Sequence, residues 1–375
     1  MANWSELPND VLEYLTNFLP LPDYHRFGAV CQTWCSIAKQ KLHRPPHLPW
    51  LVLGHDNATQ KRTFFNLSEN KNYDIEIPEL QGQYICGCSY GWLFTIDTEL
   101  NCHLLNPLTR KQYDLPTVPP YNEYYKTNPF LTEPMENCTK SVELRMLLVF
   151  KAVLDYDPSD RPDFKVVIVY GQSSKLAFWR SGDPKWSYIQ GYYSNMEDVL
   201  FSNGKLYAFT SLQDQGLCVV DDWSDPKITQ LSISIPLECD DNVACCPYLV
   251  DVKGELLLVQ RYRSYNKEKK LRTTVDIQVH KIDIGREVSS ICKHTKGCTI
   301  FLGKSSPVVV DPSISHSDRK NAIYFTDVCC ALSASKHERV DLGIYDMNTR
   351  MFSRYDPPHI DTPDAVPIWF NPNPW

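Results

Sequence analysis

The chain has 375 residues, 43% of them hydrophobic and 12% aromatic, with a formal net charge of −7 at pH 7. That is ample apolar material for a core and excludes wholesale disorder, while the length exceeds one average domain and still suits a single large β-architecture. No run of about 18 apolar residues offers a membrane span, and no basic-then-apolar leader opens the chain, so a soluble protein made in the cytosol is expected, resident in the cytoplasm, the nucleus or both.

Taken from the N-terminus, Leu7-Pro8-Asn9-Asp10-Val11-Leu12-Glu13-Tyr14-Leu15 opens a helix, and Leu19-Pro20-Leu21-Pro22-Asp23 breaks it and starts another. Val11, Leu12, Leu15, Phe18 and Leu19 recur at helical spacing and are expected to share one face. Phe27, Val30, Cys31 and Trp34 continue the apolar pattern toward Ala38 and are expected on an inner side. Pro22 suits a first helical turn, and Asp23 complements the positive end of that helix. Three short helices cannot bury so many large side chains alone. The surplus is suited either to docking on another protein or to capping the rest of the chain.

Leu-Pro-x-Asp-Val-Leu, Leu-Pro-Leu-Pro-Asp and Phe-x-x-Val-Cys-x-x-Trp together resemble an F-box. Leu7, Pro8, Val11, Leu12, Leu15, Leu19, Pro22, Phe27, Val30, Cys31 and Trp34 carry the resemblance over residues 1–44. It implies a trihelical module that binds the Skp-type adaptor of a cullin–RING ubiquitin ligase. Spacing alone does not divide these residues between those packed inside the module and those facing the adaptor.

His43–Pro49 holds three prolines and reads as a stiff connector, with the linker proper at 45–49. From Trp50 the texture changes to short strands and turns. Trp50–Leu53, Thr63–Leu67, Tyr73–Ile77, Tyr84–Tyr90, Gly91–Asp97, Cys102–Asn106 and Tyr113–Leu115 are strand-like. A loose unit recurs as Gly91-Trp92-Leu93, Gly204-Lys205-Leu206 and Gly254-Glu255-Leu256, with Asn321-Ala322-Ile323 as a fourth copy lacking the Gly. A repeat near 50 residues made of strands alone reads as a β-propeller over 50–375. Six four-stranded blades are counted, with six or seven possible. The first shows three clear strands, and Ala365–Phe370 is placed to complete it and close the ring. Two packed β-sandwiches are the competing architecture. The expected class is therefore mainly β with a small all-α N-terminal module.

Gly91-Trp92-Leu93, Asn106-Pro107-Leu108-Thr109-Arg110, Phe301-Leu302-Gly303, Ile368-Trp369-Phe370 and Leu48-Pro49-Trp50-Leu51 are similar to plant F-box proteins with a KIB-type, kelch-like β-propeller. That resemblance implies a substrate receptor without naming a substrate. The stretch Pro119–Arg145 departs from blade texture. It is an irregular insertion, about 119–145, whose Tyr121, Tyr124 and Tyr125 are candidates for a protein contact.

No His-Glu-x-x-His or Gly-x-Gly-x-x-Gly occurs. Gly303-Lys304-Ser305 ends like a phosphate loop but lacks its earlier glycine. Asp155, Asp157, Asp160 and Asp163 lack calcium-loop spacing and read as a solvated hairpin end. The fourteen cysteines lack paired metal-ligand spacing and read as small buried hydrophobes. Residues 1–47 carry four basic and four acidic side chains, so the acidity lies in the remainder and argues against nucleic acid. Lys267–Arg272 reads as a hairpin tip. No catalytic residue, metal or cofactor is expected. The expected partners are the adaptor, through it the cullin and RING subunits, and a target protein. A non-degradative interactor and a propeller holding a small ligand are the alternatives.

Overall fold

The computed structural model describes residues 4–40, 48–56, 61–118, 149–171, 174–191, 195–210, 216–236, 243–266, 271–312, 319–327, 341–355 and 367–373. Three helices come first: α1 (Asn9–Thr16), α2 (Leu21–Gly28) and α3 (Gln32–Lys39). Pro20 and Pro22 set the start of α2, with Asp23 in its first turn, as the proline spacing predicts. Ala29–Cys31 interrupt the helix, so the segment from Asp23 to Ala38 is two helices with a break between them.

From Trp50 the described chain is built of strands in six sheets. Blade 1 takes β1 (Trp50–Asp56), β2 (Lys61–Asn66) and β3 (Lys71–Glu76). Blade 2 is β4 (Tyr84–Ser89), β5 (Trp92–Ile96), β6 (Cys102–Leu105) and β7 (Gln112–Leu115). Blade 3 is β8 (Val149–Leu154), β9 (Lys165–Tyr170), β10 (Lys175–Arg180) and β11 (Ser187–Tyr188). Blade 4 is β12 (Met196–Ser202), β13 (Lys205–Thr210), β14 (Gly216–Val220) and β15 (Thr229–Gln230). Blade 5 is β16 (Val243–Val252), β17 (Glu255–Asn266), β18 (Leu271–Asp283) and β19 (Val288–Ile291). Blade 6 is β20 (Thr299–Leu302), β21 (Val308–Val310), β22 (Ala322–Asp327), β23 (Asp341–Asp346) and β24 (Met351–Arg354), and β25 (Ile368–Phe370) returns to blade 1.

The sheets are joined by apolar clusters, each shared by two neighbours. Trp50 and Phe64 meet Leu93 and Leu105 between blades 1 and 2. Trp92 and Phe94 meet Phe164 and Trp179 between blades 2 and 3. Phe178 meets Leu206 next, then Phe209 meets Leu258, then Val259 meets Ile300. Leu51 and Phe65 meet Phe301 and Tyr324, which joins blade 6 back to blade 1. Six sheets with six shared interfaces form a closed ring, the propeller rather than a pair of sandwiches.

Closure is covalently economical, because β25 supplies the fourth strand of blade 1. Trp50 pairs with Phe370, Leu51 with Trp369 and Val52 with Ile368, all antiparallel. Trp369 is fully buried, donates its indole N–H to the Leu302 carbonyl at 2.9 Å and packs edge-on against Phe301. Beyond β25, Asn373 accepts a hydrogen bond from Asn106 Nδ2 at 2.8 Å and donates to Asp157 at 2.5 Å, and Trp92 Nε1 donates to the same carboxylate. One terminal segment thus ties blades 6, 1, 2 and 3. Asp155 is also buried, accepting from the Lys165 backbone and ammonium. Asp155 and Asp157 are therefore structural acceptors and not part of a solvated hairpin end, because buried donors from other strands reach them; Asp160 and Asp163 remain exposed.

The recurring Gly-x-Leu unit is a two-residue turn between the first and second strands of a blade. Ser89 pairs with Trp92, Ser202 with Lys205 and Val252 with Glu255, and the two residues between each pair have positive φ, the type I′ pattern that fits strand twist. Blade 6 departs from the expected four antiparallel strands. Its five strands run in the order β21-β20-β22-β23-β24, and β20 and β22 are parallel. Between β20 and β21 the chain reaches from blade 6 to β4 of blade 2. Ser306 N donates to Cys88 O at 2.9 Å, and Lys304 Nζ donates to the Tyr84 hydroxyl at 2.6 Å. A Cβ on Gly87 would lie 3.5 Å from the carbonyl oxygens of both Ala152 and Lys304, so backbone from blades 2, 3 and 6 converges there.

Two predictions follow from packing. Gly91 and Gly204 share a left-handed φ, but a Cβ at Gly91 would sit 2.6 Å from Asn373 Cβ, whereas at Gly204 nothing lies within 4 Å. Gly204→Ala is expected to cost about 1–2 kcal/mol, the left-handed penalty alone. Gly91→Ala is expected to cost about 1–3 kcal/mol more, from overpacking against the terminal segment, as read by urea unfolding. His280, in β18, is buried with Nε2 unbonded among the described residues, and burial holds its pKa below the ordinary 6.5. The unfolded chain therefore binds a proton near that pH that the folded chain refuses, so stability falls as pH drops below about 6.5. In His280→Leu this part of the pH slope is expected to vanish from unfolding curves between about pH 7 and 5.

Candidate functional site

The helical module divides the sequence-predicted set into two. Leu12 is fully buried among Tyr24, Phe27, Ile37 and Ala38, with Leu7, Leu19 and Trp34 half-buried around them. Trp34 lies against Phe27 with ring centroids 4.4 Å apart and donates its indole N–H to the Trp4 carbonyl. Two residues that hold this small core were not in the predicted set. Tyr24 donates its hydroxyl to Ala38 O at 2.7 Å, tying α2 to α3, and Ile37 sits one position before it. Their signal in the sequence was the helical spacing of Tyr24 with Phe27 and of Trp34 with Ile37.

The other half of the set faces outward. Val11, Leu15 and Val30 are exposed, Pro8 is exposed at the start of α1, and Cys31 is half-buried at the start of α3. Pro22 is placed in the first turn of α2. The expected single face of α1 is therefore corrected. Leu12 and Leu19 point into the module, while Val11, Leu15 and Phe18, spaced by four and three residues, form a separate exposed stripe. Val30 likewise leaves the expected inner side, since the break after Gly28 turns it out. Tyr14 and Phe18 add to the stripe. They are 64% and 66% exposed, and their rings meet edge-to-face at 4.9 Å. Together they form an exposed apolar patch on α1 and the turn that follows it.

The propeller brings together polar groups that sequence reasoning missed. Lys151 of β8 forms a buried ion pair with Asp198 of β12, whose other oxygen accepts from Leu249 N of β16 at 2.7 Å. Three successive inner strands are thereby linked. Burial pushes the Asp198 carboxyl up, opposed by the Lys151 ammonium. Arg261, fully buried in blade 5, donates to Thr274 Oγ1 and to Asp341 Oδ2 of blade 6, each at 2.7 Å. Its guanidinium also lies 4.5 Å from the Phe325 ring centroid. These groups are consumed in holding blades together.

Six cysteines (Cys86, Cys88, Cys102, Cys218, Cys246 and Cys298) are buried as free thiols, and burial pushes Cys88 up to about 12, which keeps it protonated. Among the described residues no group of three or more His, Cys, Asp or Glu is placed to hold a metal ion. Of the basic run, 267–270 lie outside the described residues, and Leu271 and Arg272 begin β18, where Leu271 pairs with Asn266 of β17. Tyr121, Tyr124 and Tyr125, with the insertion at about 119–145, lie outside the described residues, as do most of the linker residues.

A trihelical module with the F-box pattern, followed by a six-bladed propeller closed by its last strand, defines an F-box protein of the propeller class. The F-box domain profile matches residues 4–44 and the KIB1-4 beta-propeller profile matches residues 64–346. The chain belongs to the KIB1-4 β-propeller family. F-box protein SKIP23 of Arabidopsis thaliana is 30% identical over 284 residues, covering 70% of this chain and 65% of that protein, so the chain spans slightly less than two thirds of that relative's length. An F-box/kelch-repeat protein of the same plant is 25% identical over 349 residues, covering 92% of this chain and 89% of that one. Among solved structures, the β-propeller domain of Myceliophteria thermophila Cps50 (Swd1) is 9% identical over 83% of this chain and 86% of that chain at a TM-score of 0.34, too distant to bear on the argument.

The division within the F-box is testable by stability. Leu12→Ala is expected to destabilise the helical module by about 2–5 kcal/mol, the cost of a buried cavity. Leu15→Ala, on the exposed stripe, is expected to stay within about 0.5 kcal/mol of the wild type. Thermal unfolding followed by far-UV circular dichroism checks both.

Proposed function

We propose that this chain is the substrate-receptor subunit of a cullin–RING ubiquitin ligase. Its F-box docks on a Skp-type adaptor through Pro8, Val11, Tyr14, Leu15, Phe18 and Val30, and its propeller holds the protein to be modified. The observation that carries this reading is the exposed stripe on α1. Leu12, Tyr24, Phe27 and Ile37 form the module's own core, while Tyr14 and Phe18 stay 64% and 66% exposed beside Val11 and Leu15 and are available to a partner. Membership in an F-box propeller family supports the same reading. In this arrangement the chain performs no bond chemistry. It raises the effective concentration of a target lysine beside ubiquitin carried by the other subunits.

The test is co-purification of the full chain with a plant Skp-type adaptor. Wild type is expected to bind one-to-one. Leu15→Ala/Phe18→Ala is expected to lose binding while remaining folded, because truncating a central anchor costs about 2 kcal/mol or more. A wild-type chain that is folded and fails to bind the adaptor refutes the proposal.

A further inference from the structure

Four lysine or arginine side chains are buried among the described residues, and three of them are answered by a carboxylate. Lys151 pairs with Asp198, and Arg261 and Arg263 both reach Asp341. Arg62 of β2 is the exception. It is only 7% exposed, and no carboxylate pairs with it among the described residues. Its Nη1 makes a single long contact to the Leu53 carbonyl at 3.4 Å, Nε is buried without a partner, and Nη2 makes no hydrogen bond. Burial pushes its pKa down to about 10, so the guanidinium still carries its charge at neutral pH. Neutral dipoles do not balance a buried charge of this kind; an opposite charge does.

Arg62 lies two residues before Phe64 and opposite Ile75, so it shares the face of blade 1 that packs against blade 2. Its pairing with His55 puts it beyond the start of β25, while the far end of β25 meets the end of β4, where Asn373 donates to Tyr90 O. Arg62 thus stands at the end of the ring where the inner strands begin. The connection from β3 to β4 closes the same seam there. It buries Ile77 and Leu80 in the shared cluster and ends on Gln83, whose Oε1 is likewise buried without a partner. The seam is short of polar partners on both sides. With Nη1 held by Leu53, the edge left over on the guanidinium is Nε–Nη2, which matches two oxygens of a carboxylate or phosphate.

We propose that Arg62 anchors an oxyanion site at the seam between blades 1 and 2, which takes a carboxylate or phosphate group through two parallel hydrogen bonds from Nε and Nη2. The group arrives either as a small free anion or on a side chain of a bound protein, and one chemistry serves both. The site uses no residue of the helical module, so it is independent of adaptor docking.

The test is the thermal midpoint of the full chain, titrated with sodium phosphate at an ionic strength held constant with sodium chloride. Wild type is expected to gain about 2–4 °C when phosphate stands at roughly ten times its Kd. Arg62→Met keeps the length of the side chain and removes its charge. It is expected to show no phosphate response and, in chloride alone, to melt no lower than wild type, since a lone buried charge has gone. Arg62→Lys retains the charge without the fork, and its phosphate affinity is expected to fall about 10-fold. Isothermal titration with acetate and with a short peptide carrying one glutamate separates the two sources. A peptide that binds tighter than acetate assigns the anion to a bound protein, and one that binds no tighter assigns it to a free anion. A wild type that responds to no oxyanion overturns the proposal, and so does an equal response in Arg62→Met. An Arg62→Met chain that melts well below wild type in chloride overturns it too, because the charge would then already be balanced within the chain.

Discussion

The short antiparallel pairing of Ile368–Phe370 with Trp50–Val52 is the contact on which the ring depends. A propeller blade buries both faces only if it has two neighbours. An open array of six sheets would therefore leave Leu51, Phe65, Phe301 and Tyr324 facing water at its ends. Burying such side chains is worth roughly 1.5–3 kcal/mol each, so an unclosed ring forfeits a share comparable to the whole stability of a domain. Three residue pairs alone would be a weak latch. Trp369 and Asn373 strengthen it, one by filling the joint with an indole bonded to blade 6, the other by threading carboxamide bonds to blades 2 and 3.

The centre of the ring is held differently from its interfaces. Lys151, Asp198 and the Leu249 amide connect the inner strands of blades 3, 4 and 5, and the crossing segment Gly303–Pro307 connects blade 6 to blade 2. A buried pair of this kind adds little net stability over an apolar substitute, yet losing one partner strands a charge. Its effect is on arrangement: only one stagger of the three strands brings all these groups together. Carboxylates and cations that look like candidates for chemistry are here spent on holding neighbouring blades together.

Much of this was legible in the chain. The helix starts at Pro20 and Pro22, the strands of the first two blades, the recurring glycine turns and the returning Ile368–Phe370 strand follow from local rules of capping, alternation and turn chemistry. The orientation of α1 did not follow. Val11 and Leu12 are adjacent, each begins an apolar stripe at helical spacing, and periodicity within eight residues cannot say which stripe turns inward. Tyr24 and Ile37 decide it, by filling the space beside Leu12. The buried charges were also illegible, because Lys151 finds Asp198 47 residues away and Arg261 finds Asp341 80 residues away. A charged residue in a strand reads as solvated until its partner from another blade is known. The parallel pairing of β20 with β22 escaped for a related reason: its two strands are not consecutive in the chain, so no single hairpin turn announces it.

Because Trp50 and Phe370 lie at opposite ends of the propeller sequence yet are hydrogen-bonded neighbours, the order of synthesis runs against the order of assembly. The first blade emerges from the ribosome lacking the strand that covers its inner edge, and it stays so until Ile368–Phe370 emerge. Through that interval Trp50 and Leu51 present an open strand edge to any other chain nearby. Such high contact order makes closure a late, slow step. For a protein of this design, nascent-chain protection is thus a requirement set by topology, independent of how stable the finished ring becomes.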